Sequence, residues 1–275
     1  MRQKNKMAAF FEYVVLIIFA LCAIFPVVYM ISSSLMGEDE VKTAIQGCKF
    51  HIIPDGFTMI QYYTILLRKP DFLLKFWNSI ILTVPAVIGQ ILISIFGAYA
   101  FAKIKFKFKQ EIFFMFILLM IMPYQVTLVP IYIIMKKMNL VGSYAAVIFP
   151  AMFSTFGVFL MTQFLKAIPD EECQAAKVDG AGHLQILFKI IIPQCKGAVV
   201  SLAILSFVDN WNMIEQPLIL LGEQKQPLST FLSQINDKEL GVAFACGVMF
   251  MLPSIFMFLK GEEELLQGIQ HLDMK

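Results

Sequence analysis

Five long stretches of the chain contain no charged residue, and that constrains the fold more than any motif does. They run 13–37, 76–102, 112–135, 138–165 and 240–259. A helix rises about 1.5 Å per residue and the hydrocarbon of a bilayer is about 30 Å thick, so roughly 20 apolar residues cross it. All five meet that length. A sixth stretch, 197–221, is apolar and long enough but carries Asp209 and Glu215. The composition agrees, because only 15% of residues are charged against about 25% in soluble domains. The expectation is an all-α membrane protein with six transmembrane helices in a single domain, 1–275. Those helices fall at about 13–35, 76–102, 112–135, 144–165, 197–221 and 240–259. The first is too long for a cleaved signal sequence, whose apolar region covers about 7 to 15 residues.

Lys and Arg in short loops vote on orientation. With the N-terminus inside, Arg2, Lys4 and Lys6, then Lys103, Lys105, Lys107 and Lys109, then Lys166, Lys177, Lys189 and Lys196, and finally Lys260 and Lys275 all face the cytoplasm. The run KIKFKFK is the clearest of these. Basic residues read as topology signals, and a net charge of +2 gives no reason to invoke nucleic acid. On this topology only Cys48 is external, so no disulfide framework follows. His51, His183 and His271 stand apart in sequence, and no Cys/His spacing suggests a metal site.

One polar island interrupts the apolar pattern. Residues 166–196 form the longest cytoplasmic loop, containing EECQAAKVDGAG. Pro169 suits a helix start, and Asp170, Glu171 and Glu172 complement the helix dipole there. Gly180 supplies a left-handed stop; a second, apolar segment, HLQILFKIII, then runs to Pro193. The loop therefore reads as helix, glycine turn, helix, with Ala175 and Ala176 leaving a low-relief surface that another backbone can approach. A plain solvated loop is the other reading of the same residues.

The segment resembles the signature loop of binding-protein-dependent ABC importer permeases, E-A-A, three residues, G, nine residues, I-x-L-P. Gln174, Ala175, Ala176, Gly180, Ile190 and Pro193 occupy its positions, with Asp179 on the acidic residue before the glycine. The wider run IPDEECQAAKVDGA with FKIIIP, together with FTMIQYYTILL, FWNSI and DNWNMIEQPLIL, is similar to the maltose-type carbohydrate permeases. The resemblance implies that the loop couples the chain to a cytoplasmic ATPase. It also implies a second permease subunit, two ATPase subunits, an extracellular solute-binding protein and a prokaryotic cell membrane, with both termini cytoplasmic. The motif's Glu is Gln174 here, its Leu is Ile192, and a proline usual further on is Gly197, which removes a charge from the expected contact.

No glycine in the chain is followed by Lys, so the phosphate-cradling G-x-x-x-x-G-K-[ST] loop is absent. ATP is therefore expected on partner subunits, with no cofactor on this chain and no catalytic residue. The expected translocation path is Asn78, Gln125, Asp209, Asn210, Trp211 and Asn212, where carboxylate, amides and an aromatic ring suit a sugar. Three other readings stay open: a permease for an amino acid, peptide or polyamine, a membrane scaffold or receptor subunit without a pore, and an ion-coupled carrier using Asp209, since ionisable groups within lipid are costly and functional by default. Residues 38–75, with turn signals at Pro54, Asp55, Gly56 and Pro70, suit an external cap where a binding protein docks. The C-terminal GEEELLQGIQHLDMK suggests no role.

Overall fold

The computed structural model describes residues 6–47, 51–68, 70–234 and 239–273. Arg2, Lys4, Cys48 and Lys275 lie outside the described residues. Within them every regular element is helical. Four spans are long and apolar enough to cross a membrane without a sharp bend: Phe11–Ser34, Asp71–Lys103, Ala145–Ala167 and Leu240–Glu264. Two bent helix pairs raise that number to six if each pair is one span. The expected single domain divides into two compact units, Met1–Leu73 with Leu232–Leu252, and Leu74–Phe231 with Pro253–Lys275.

In the first unit, α1 (Lys6–Ser34) exposes apolar side chains such as Phe11, Leu16, Phe19 and Ile24, as a lipid-facing helix does. The short α2 (Glu38–Gln46) carries three acidic residues in its first turn, where the helix dipole favours them. Glu38 is put to use at once. Its Oε2 accepts from the Gly241 N–H at 3.2 Å and lies 3.4 Å from the Gln61 amide nitrogen. Tyr29 meets Phe244 edge to face, with ring centroids 6.0 Å apart.

The second unit is built on α3 (Pro70–Lys103), α4 (Lys109–Ile121), α5 (Tyr124–Lys137), α6 (Ala145–Ala151) and α7 (Thr155–Ala167). Small residues let α3 and α7 approach closely, as helices do in membranes. A Cβ on Gly157 would fall 2.3 Å from Ser94 Oγ, and one on Gly97 3.2 Å from a Val158 methyl. Phe101 of α3 clusters with Phe113 and Phe116 of α4 at centroid distances of 5.2 and 5.3 Å.

Three of the expected spans are interrupted; the one placed at 144–165 pauses between α6 and α7. The span placed at 112–135 is α4 and α5, bent by 104°, with the break at Met122–Pro123. A residue before proline is pushed out of the helical region, and Met122 is extended, at φ −66° and ψ 133°. The span placed at 197–221 ends early: α10 (Lys196–Trp211) stops, and a separate short helix, α11 (Glu215–Leu220), follows. Pro217 has no N–H with which to continue α10 and falls in the first turn of α11, where a proline is tolerated. Asn210 and Asn212 side chains also donate to the carbonyls of Ser206 and Val208, each at 2.8 Å, a local bonding mode that competes with helix continuation. Beyond α11, α12 (Leu228–Ser233) is short, while α13 (Leu240–Asp273) continues well past the expected end at 259.

Candidate functional site

The polar island folds as the sequence suggests, with one shift. Pro169 is the residue before the helix rather than its first turn, and α8 (Asp170–Val178) begins with Asp170, Glu171 and Glu172. Its end is a glycine-closed cap. The Gly180 N–H donates to the Lys177 carbonyl at 3.0 Å and the Ala181 N–H to that of Ala176 at 2.9 Å. These are the two bonds of a Schellman motif, and Gly180 takes the left-handed φ of +83° that the motif needs. The returning helix α9 (His183–Gln194) contains a π-helical turn over Leu187–Ile191 and meets α10 at 81°. Pro193 lies inside its last turn, and the bend follows at Cys195.

Burial fixes which face of the hairpin is free. Cys173, Ile186, Leu187, Ile191 and Cys195 join Ile95, Ala98, Tyr99, Met161 and Leu165 in one apolar core. Burial pushes the Cys173 thiol pKa up. Ala176 packs partly against that core, so only Ala175 of the alanine pair is fully outward. Glu171, Glu172, Gln174, Asp179, Gly180 and Pro193 are exposed. Val178, which spacing alone did not single out, is 88% exposed, far more than an apolar side chain on a polar loop needs. The outer face is therefore low in relief with one apolar knob.

Three contacts brace the hairpin. Lys103 Nζ donates to Asp170 Oδ1 and to the Ile168 carbonyl, both at 2.6 Å, with its side chain only 5% exposed. That hydrogen bond and the lysine's charge hold the Asp170 carboxyl below the usual range. The Tyr99 hydroxyl is hydrogen-bonded to His183 Nδ1 at 2.9 Å, and the Gln194 amide donates to Glu172 at 2.5 Å. Lys103 belongs to the run KIKFKFK, so one member of that run also has a structural duty.

The residues expected along a path do not form one cluster. Successive positions on a helix turn by about 100°, so Asp209 and Asn212 face outward while the Trp211 ring is buried. Trp211 stacks on Phe207 at 5.4 Å and meets Phe76 edge to face at 5.8 Å. Asn210 Nδ2 lies 3.3 Å from Gln90 Oε1 of α3. Glu215 has left the helix of Asp209 altogether; it accepts from Gln125 at 3.1 Å, tying α11 to the start of α5. Asn78 is a clamp. Its amide donates to the carbonyls of Gln224 and Gln226 at 2.8 and 3.0 Å, and its oxygen accepts from the Tyr144 hydroxyl at 2.7 Å. Lys75 reaches the Glu223 carbonyl and Ser79 accepts from the Leu228 N–H, so one face of α3 holds the 223–228 turn.

A many-span helical membrane protein whose braced, glycine-capped polar hairpin leads directly into its second bent helix pair has the features of a membrane transport component. Residues 64–259 match the family of binding-protein-dependent transport system inner membrane components, and the chain belongs to that family. It is 26% identical over 255 residues to the arabinooligosaccharides transport system permease protein AraQ of Halalkalibacterium halodurans, covering 91% of this chain and 90% of that protein. It is 25% identical over 262 residues to the lactose transport system permease protein LacG of Rhizobium radiobacter, covering 94% and 93%. In fold it is similar to a chain from the crystal structure of a bacterial ABC transporter involved in the import of the acidic polysaccharide alginate. The TM-score is 0.83 at 24% identity, over 96% of this chain and 99% of that one.

Proposed function

We propose that this chain is one of two membrane subunits of an ATP-driven importer for a mono- or oligosaccharide. It is not itself catalytic; ATP binds to two separate cytoplasmic ATPase subunits, and an extracellular solute-binding protein delivers the cargo. The single observation that carries this reading is the hairpin 170–193, with Glu171, Gln174, Ala175, Val178, Asp179 and Gly180 on an outer face backed by a rigid core. Such a face accepts a partner's backbone, and its bracing by Lys103 and Tyr99 to α3 lets a push on α8 reach a membrane span. The family supports the transport role, and the names of the relatives, for arabinooligosaccharides and lactose, support a carbohydrate cargo. The lysines from 103 to 109 favour a cytoplasmic hairpin and cytoplasmic termini in a prokaryotic membrane. In this reading Asp209 and Asn212, both exposed on the single chain, face the second subunit or the pore, while Asn78 and Trp211 hold the scaffold.

The test is reconstitution with the neighbouring permease, ATPase and binding-protein genes in liposomes carrying ATP. Saccharide uptake that stops without ATP and ignores an ionophore is the expected result. Uptake driven by an ion gradient without the ATPase, and lost in Asp209→Asn, would replace this reading with an ion-coupled carrier; a preference for amino acids, peptides or polyamines would keep the mechanism and change the cargo.

A further inference from the structure

We propose that Glu40, His51 and Asp55 form a binding site for a divalent transition-metal ion of the zinc class, in the segment between the first two spans. The three residues fall within one 16-residue stretch, His51 and Asp55 four apart and Glu40 on α2, and their donor atoms all lie within 4.8 Å of one another. His51 Nε2 is 3.2 Å from Glu40 Oε1 and 3.4 Å from Asp55 Oδ1. Zinc binds nitrogen at about 2.0–2.1 Å and carboxylate oxygen at about 2.0–2.2 Å, so the edge of a tetrahedral site is roughly 3.3–3.5 Å. The observed separations are close to that edge.

The hydrogen bonding points the same way. The His51 side chain is 37% exposed, but its Nε2 atom is shielded from solvent and makes no hydrogen bond, although both carboxylate oxygens lie within 3.4 Å. Neither oxygen is aligned to complete one, so the protein leaves that nitrogen without a hydrogen bond, which is unfavourable for a shielded polar atom. A cation shared by the three donors satisfies the nitrogen and offsets the repulsion between two neighbouring carboxylates.

The surroundings hold the donors in place. Glu40 sits in the first turn of α2, and its Oε1 also accepts from the Asp55 N–H at 2.8 Å, the kind of outer-shell bond that orients a metal ligand. The chain around the histidine is tied back to the end of α1: Thr58 N–H donates to the Leu35 carbonyl at 2.9 Å, and the Ser32 hydroxyl donates to the Ile52 carbonyl. Asp55 is 83% exposed, which leaves a coordination position open to water. One imidazole with two carboxylates suits zinc and its neighbours better than magnesium or calcium, which take oxygen ligands alone. The ion would staple α2 to the 51–55 turn.

The experiment uses the full-length chain in micelles, stripped with a chelator and titrated with Zn²⁺ by calorimetry, with thermal unfolding followed in parallel. One zinc per chain, chelator-reversible and indifferent to millimolar magnesium, is expected. His51→Ala and Glu40→Gln should each weaken binding by at least the roughly 10–100-fold typical of losing a metal site's outer-shell partner, and both should abolish the zinc-dependent rise in unfolding temperature. If His51→Ala does not give a monodisperse protein, Glu40→Gln and Asp55→Asn carry the test. No stoichiometric zinc binding by the wild type, or binding that all three variants retain, overturns the proposal; the latter would assign the ion to cysteines or to the other histidines.

Discussion

Replacing Gly180 separates the hairpin's own backbone from whatever docks on it. At φ +83° a Cβ is strained, but one built there meets nothing within 4 Å. The chain itself therefore charges only for the left-handed conformation, about 1–2 kcal/mol for an ordinary L-residue, and this cost does not grow with side-chain volume. Asn tolerates that region best among the larger residues. Gly180→Ala should raise local opening of the hairpin by a factor of about 5–30, read as faster hydrogen exchange at the Ala181 amide that bonds the Ala176 carbonyl. Gly180→Asn should exchange nearly as slowly as wild type. Gly180→Arg should match Ala in exchange yet lose far more co-purifying ATPase, because its side chain projects into the partner's space. Equal loss of ATPase in the Ala and Arg variants would make backbone strain the whole effect and refute docking at the tip. Retention of the ATPase by Arg would equally refute it, since the hairpin's tip would then not be a docking surface.

Two further outcomes follow from the bracing contacts. Asp170 is held below its ordinary value of 3.8 chiefly by the hydrogen bond from Lys103; a depressed carboxylate contributes stability that is present above the unfolded-state value and is lost as pH falls through the folded one. Asp170→Asn should therefore loosen the hairpin by a constant amount from neutral pH to about pH 5, with the difference from wild type closing below about pH 4. A difference that persists unchanged into strong acid would refute the ion pair. Asn78→Ala strands the Tyr144 hydroxyl and two carbonyls of the 223–228 turn, at about 1–3 kcal/mol for each buried group left unsatisfied. Thermal unfolding in micelles should fall accordingly, and an unchanged midpoint would mean that Asn78 is no clamp.

Hydropathy made the helical membrane class legible, because lipid offers no hydrogen bonds and an apolar stretch of spanning length has few alternatives to a helix. The polar hairpin was equally readable: Pro169, three acidic residues and Gly180 are local signals that act through their own backbone. Pro123 and Pro217 were in plain view as well, yet the apolar stretches around them were expected to run unbroken: hydropathy averages over a proline, and since Pro26, Pro85 and Pro253 sit inside continuous helices, a proline by itself does not mark a break.

Local chemistry thus determined where this chain enters a membrane, where it turns back and which segment stays polar. Tertiary structure alone decided which atoms meet. Asn78 and Trp211 look like solute ligands in sequence, and packing commits one to a turn and the other to a core. Lys103 reads as a topology charge and serves as a brace. Glu40, His51 and Asp55 share no motif spacing and still converge. The physical reason is range: helix starts, caps and hydropathy depend on neighbours within a few residues, whereas the partner of a buried polar group is set by how distant segments pack.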